Sequence, residues 1–170
     1  MTVRMINYRK DNLTMNNNQE EINVNEEQEI ADIFKIRRDK LSELQADGRD
    51  PYQKTKYDVT AYSRDIKGNI AEYEGKTVSC AGRIMSRRIM GKASFCDISD
   101  GEGRIQCYVR RDDVGEDVYA DFKKWDIGDI VGIEGFVFIT KTGETSIHAQ
   151  KIELRLLRMG KRRGCKSGRK

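Results

Sequence analysis

The stretch from Gly82 to Asp113, GRIMSRRIMGKASFCDISDGEGRIQCYVRRDD, holds the side chains best suited to chemistry. Strand-period counting puts Cys96 and Ile98 on one face of one strand, and Ile105, Cys107 and Val109 on one face of the next. Phe95 and Gln106 then fall on the opposite face, side by side, where a half-buried strand meets solvent. A ring beside an amide, flanked by Arg83, Arg87, Arg88, Arg110 and Arg111, can stack one base, read its edge and hold nearby phosphates. That is the chemistry of a single-stranded nucleic-acid site. Catalysis has no comparable footing. The single histidine, His148, has no nucleophile or carboxylate constellation around it in sequence. Cys80, Cys96, Cys107 and Cys165 lack C-x-x-C spacing, which argues against zinc and disulfides alike.

The elements that must position these residues follow from periodicity and turn chemistry. Residues 1–24 are polar, Asn-rich and aperiodic, and are expected to be disordered. Residues 25–74 read as an N-terminal amphipathic helix and a connector. Asn25 with Gln28 resembles a capping box, Ile30, Ile33, Phe34, Leu41 and Leu44 recur at helical spacing with Arg37 filling a turn, and Gly48 and Pro51 end the helix. Asp50 to Gly75 reads as irregular and tyrosine-rich. Residues 75–157 then read as five short strands: Thr77 to Arg88, Ser94 to Ser99, Arg104 to Arg110, Gly128 to Ile139 and Glu144 to Glu153. One helix, Val114 to Trp125, is inserted after the third. Three strands, a helix and two strands is the order of a mainly β, five-stranded OB-fold barrel. In that fold the ligand lies on strands 2 and 3 and is gripped by the loops joining strands 1 to 2 and 4 to 5. Here those positions are Phe95 with Gln106, the Arg88 to Lys92 turn, and Lys141 to Glu144. Adjacent strand residues face opposite sides, so of Arg87 and Arg88 at most one enters the groove, and Arg88 is favoured.

With these elements in place, the chain resembles the N-terminal anticodon-binding domain of bacterial lysine-tRNA ligases, class II aminoacyl-tRNA synthetases. The resemblance runs from about Glu29 to Leu157 and rests on IRRDKLSEL with DPY, AGRIMSRRIMGKASF, RIQCYVRRDD, FKKWDIGDIVG and KTGETSIH. It implies that Phe95, Gln106 and Glu144 read a uridine-rich anticodon, with Arg83 and Arg88 as phosphate or stacking contacts, and that the partner is lysine tRNA. A carboxylate such as Glu144 accepts from the imino NH of uracil, whereas cytosine has a bare acceptor there. The intact family adds a catalytic domain that uses ATP and magnesium ions, as a cytoplasmic homodimer. No cofactor is expected in this chain, which reads RMGKRRGCKSGRK where the family's linker would begin. The expectation is a truncated or frameshifted reading frame whose product is inactive alone and either dimerises or associates with a full-length synthetase.

Composition sets the outer bounds. At 170 residues and 37% apolar, the chain suits one domain with appendages. Its formal charge of +4 hints at a polyanion, but residues 158–170 carry seven Lys/Arg and no acid, leaving the rest at −3, so a nucleic-acid site must be a local patch. The basic tail, 158–170, reads as foreign to the family. No apolar run approaches the ~20 residues needed to cross a bilayer, and the N-terminus lacks a signal peptide's apolar core, which together point to a soluble cytoplasmic protein. Two other readings use the same residues: a single-strand-binding module without base preference, and a protein-interaction module in which Phe95 is no base platform.

Overall fold

The computed structural model describes residues 28, 30–53 and 56–159. The expected disordered segment, the Asn25 half of the capping box and the tail beyond Met159 lie outside them. Two compact units divide the chain, Met1–Ser42 with Met159–Lys170, and Glu43–Arg158. Helix α1 covers residues 30–46. Ile30, Phe34, Arg37, Leu41 and Leu44 are half-buried along it, as helical spacing requires, whereas Ile33 is exposed together with Ile36. The helix closes on a Schellman pair, Gly48 N–H to Gln45 O at 3.0 Å and Arg49 N–H to Leu44 O at 2.8 Å, just before Pro51.

The connector is more regular than expected, because it contains α2 (Ser63–Gly68) and α3 (Ile70–Tyr73). Tyr62 precedes α2 and supplies no side-chain cap. Asp100 supplies it from a distant turn instead. Its carboxylate accepts the Ser63 amide at 2.7 Å and the Ser63 hydroxyl at 2.8 Å, and it also takes the Glu102 and Gly103 amides at 2.8 and 2.7 Å. Partial burial pushes the Asp100 pKa up, but these donors outweigh it and hold the group below its ordinary value. Ile66, with no exposed surface, anchors the other side of α2 in the core.

The barrel consists of β1 (Thr77–Met90), β2 (Ala93–Ser99), β3 (Arg104–Arg110), β4 (Ile130–Ile139) and β5 (Thr145–Leu156), closed in the order β1-β2-β3-β5-β4. Among the five strands, β3 and β5 pair in parallel and the other neighbours antiparallel. The strand order expected of an OB-fold is the order found, with the insertion split at Gly115 into α4 (Arg111–Val114) and α5 (Glu116–Lys124). Alternation builds the core. Ser94, Cys96 and Ile98 of β2 and Ile105, Cys107 and Val109 of β3 point inward, and Phe122 and Trp125 pack edge to face at 5.6 Å within the same core. Cys80, Cys96 and Cys107 are buried thiols, and burial raises the Cys80 pKa to about 12.

Two irregularities aim the surface. A β-bulge between Ile84 and Ser86 reverses the parity of β1, so that Val78, Cys80 and Ile84 face inward before it while Arg87 turns inward and Arg88 outward after it. A second register shift, between Glu134 and Gly135, brings the backbones of β4 and β5 so close that a Cβ on Gly135 would stand 2.0 Å from His148 O. The β1–β2 hairpin closes through Gly91 and Lys92, with Gly91 at φ +73, the first-position sign of a II′ turn. Tyr119 of α5 fixes that hairpin, donating to Gly91 O at 2.9 Å and meeting the buried Ser94 hydroxyl at 2.7 Å.

Candidate nucleic-acid interface

Phe95 lies on the outer face of β2, flanked in sequence by inward-facing Ser94 and Cys96, and its ring is half-buried. The cross-strand partner of Phe95 is Tyr108, ring centroids 5.0 Å apart, while Gln106 stands opposite Asp97 and diagonal to Phe95. Register then continues round the barrel. Arg88 pairs with Phe95, Phe95 with Tyr108, Tyr108 with His148, and His148 with Phe136. The result is a row of rings on the outer face. His148 sits 5.0 Å from Tyr108 and 4.6 Å from Phe136, and its Nε2 meets Asp113 of α4 at 2.6 Å, which sets the ring's orientation.

An open cleft of about 440 Å³ lies over the Phe95–Tyr108 end of this row, lined by Arg88, Phe95, Gln106, Tyr108, Phe138, Thr140, Lys141 and Thr142. Its contributors are β1, β2, β3, the end of β4 and the β4–β5 turn. An aromatic floor with cations at opposite rims suits a stacked base whose phosphates lie outward. Arg88 is exposed at one rim and Lys141 at the other.

Of the five residues singled out from sequence, Phe95, Gln106 and Arg88 line the cleft together. Glu144 stands just beyond the Thr140–Thr142 rim. The turn is fixed by Thr140 N–H to Glu144 O at 2.9 Å and Glu144 N–H to Thr140 Oγ1 at 3.0 Å, and the Glu144 carboxylate pairs with Lys67 of α2 at 2.9 Å. Arg83 is not brought to the cleft. It precedes the bulge, pairs with Ser99 rather than Phe95, and donates to Gly128 O at 2.5 Å. Arg87 turns toward the helix, donating to the carbonyls of Phe122 (2.7 Å) and Trp125 and lying 5.8 Å over the Phe122 ring. Arg110 and Arg111 pair with Asp112 at 3.2 and 3.4 Å.

Sequence reasoning missed Tyr108 and Phe138. Tyr108 follows Gln106 by two residues on the same strand, so period-two counting already places both on one face. Phe138 carries no local signal, since its place depends on β4 reaching the cleft through β5.

Residues 78–155 match the tRNA anti-codon family, described as an OB-fold nucleic acid binding domain, and the barrel is a domain of that class. More particularly, the chain is similar to lysine–tRNA ligases and shares with them this anticodon-binding OB-fold domain. It is 48% identical over 137 residues to that of Clostridium tetani (strain Massachusetts / E88), a match covering 81% of this chain and 27% of that protein. For the ligase of Clostridium acetobutylicum the identity is 50% over 129 residues, 76% of this chain and 25% of that protein. The Thermoanaerobacter sp. (strain X514) ligase is 48% identical over 130 residues, 76% and 26% of the two chains. The chain thus spans about a quarter of the length of these relatives. Among the described residues, no helix is long and apolar enough to cross a membrane.

Proposed function

We propose that the barrel binds the anticodon loop of lysine tRNA, with Phe95 stacking a uridine while Gln106 and Glu144 meet its polar edge. The observation that carries this reading is the half-buried Phe95 ring in a cleft shared with Gln106 and Arg88; Glu144 follows just beyond the Thr140–Thr142 rim, its carboxylate on Lys67. A carboxylate beside the base favours an imino N–H over a bare ring nitrogen, so uridine is preferred to cytidine. Joining lysine to tRNA with ATP and magnesium ions is an activity of the whole relatives, and we assign it to parts of them that this chain does not match. The chain would act in the cytoplasm as a tRNA-binding module, by itself, as a homodimer or beside a full-length synthetase.

The test is the affinity of the purified chain for stem-loops with uridine-rich and cytidine-rich loops at one salt concentration. A clear preference for uridine is expected. Glu144→Gln keeps an acceptor but loses its charge, so it should lower uridine affinity by about 1–1.5 kcal/mol, the difference between a hydrogen bond to a charged and to a neutral group, without weakening cytidine binding. Equal wild-type affinities would defeat the reading. They would support the general single-strand module, to which the additional rings of Tyr108 and Phe138 beside Phe95 lend weight, since stacking does not choose between bases.

A further inference from the structure

Ser146 is fully buried although it lies on the outer, ligand-facing side of β5, next to the inward-facing Ile147. It pairs in register with Gln106 of β3, and its hydroxyl donates to Gln106 Oε1 at 2.9 Å. A hydroxyl carries one hydrogen. The other acceptor within reach, Glu144 O, is 3.4 Å away, at the weak limit of hydrogen-bond geometry. Turning the Gln106 amide over would set its Nε2 against the Ser146 oxygen and leave the buried hydroxyl hydrogen only Glu144 O, 3.4 Å away. In the arrangement found, the Ser146 hydroxyl holds Gln106 by its Oε1. With Oε1 engaged, its Nε2 hydrogens are what it offers to the cleft, and among the described residues no hydrogen bond occupies them.

We infer that Ser146 is a positioning residue for base discrimination: it locks the Gln106 amide so that a donor faces the 4-carbonyl of uracil and opposes the 4-amino group of cytosine. The inference rests on the anticodon reading above and adds to it the group that enforces the choice. A fixed donor rejects another donor, whereas a freely turning amide would adapt to either base at little cost. Through the 3.4 Å contact to Glu144 O, the same hydroxyl also lies beneath the turn that carries the second edge-reading group.

The experiment compares wild type, Ser146→Ala and Gln106→Ala in the full chain, reading the ratio of uridine-loop to cytidine-loop affinity at fixed salt. Fluorescence of Trp125 during thermal unfolding reports that each variant is folded. Ser146→Ala should cut the ratio about three- to ten-fold, as expected for one hydrogen bond, mainly by strengthening cytidine binding. Damage to the barrel alone would weaken both ligands together and leave the ratio unchanged. A wild-type preference that survives Ser146→Ala intact overturns this inference and spares the anticodon reading. A wild-type ratio of one removes both. Should Ser146→Ala unfold, Gln106→Glu decides, because it keeps an acceptor for Ser146 and replaces the outward donor by an acceptor. The ratio should then move toward cytidine, and a retained uridine preference would overturn the inference.

Discussion

Phe95→Ala removes the ring on which the proposed site depends, and the structure separates its effect on binding from its effect on folding. The side chain is on the outer face, and its principal ring partner is Tyr108 at 5.0 Å with planes inclined at 46°. Losing that pair costs about 0.5–1.5 kcal/mol beyond the apolar area lost with the half-buried ring, against the ~5–15 kcal/mol a domain of this size carries. Stacking of a base on an aromatic ring is worth about 1–3 kcal/mol, so stem-loop affinity should fall about 5- to 150-fold in a protein that still unfolds cooperatively. The loss should be similar for uridine-rich and cytidine-rich loops, because a ring face does not select between them. No charge is removed, so a plot of log affinity against log salt should keep its slope. Phe95→Tyr, which retains the ring, should stay within about three-fold of wild type. The assay is fluorescence anisotropy of a labelled stem-loop across a salt series. Undiminished binding by a folded Phe95→Ala protein would refute the stacking argument. Parallel lines are expected, and a changed slope would mean that the ring acts by arranging cations rather than by touching a base.

Arg88→Ala should weaken all stem-loops alike and reduce the salt slope by about 0.7, the single-strand value for one phosphate, whereas Arg83→Ala, whose side chain is engaged with Gly128 O, should leave affinity and slope near wild type. Asp100 makes α2 sensitive to acid. Its folded pKa is lowered from an ordinary value near 3.8, so its contribution to stability is complete above pH ~4 and is lost as pH falls through the lowered value. Asp100→Ala should therefore cost about 1–2 kcal/mol at pH 7, as loss of a helix cap does, and should flatten the pH dependence of unfolding in that acid window, measured by Trp125 fluorescence in urea. Cys80, Cys96 and Cys107 should resist a thiol reagent at pH 8 until the barrel is unfolded, and rapid labelling of any of them in the native protein would contradict their burial.

What the chain discloses before folding depends on whether a position is set by its neighbours in sequence or by partners far away. Period-two alternation placed Phe95 and Gln106 outside and Cys96, Ile98, Ile105, Cys107 and Val109 inside, because each strand needs only its own pleat to decide this. The Gly91–Lys92 hairpin was equally local. Helix α2 was not. Its cap is Asp100, 37 residues beyond Ser63, so the segment lacks the start signal that would have marked it. Ser146 gave no sign either, since a serine on a strand becomes a positioning group only when the parallel β3–β5 pairing sets it against Gln106.

The two arginines of β1 show the same division most sharply. Strict alternation from inward-facing Val78, Cys80 and Ile84 would send Arg88 into the core and Arg87 to the ligand face. The bulge between Ile84 and Ser86 inserts one residue and exchanges them: Arg87 goes to the carbonyls of Phe122 and Trp125, and Arg88 goes beside Phe95. Burying a guanidinium among main-chain acceptors and an aromatic face costs less than leaving it unpaired in an aliphatic barrel, and the carbonyls at the end of α5 offer the required partners. One irregularity in β1 thus locks the inserted helix to the barrel with one arginine and equips the cleft with the next. Deleting Met85 removes the extra residue but leaves Ser86, Arg87 and Arg88 opposite Asp97, Cys96 and Phe95, so both arginines should keep their faces and stem-loop affinity should stay near wild type. A folded deletion variant that lost stem-loop affinity would show that the bulge itself, and not the register beyond it, sets Arg88 beside the cleft.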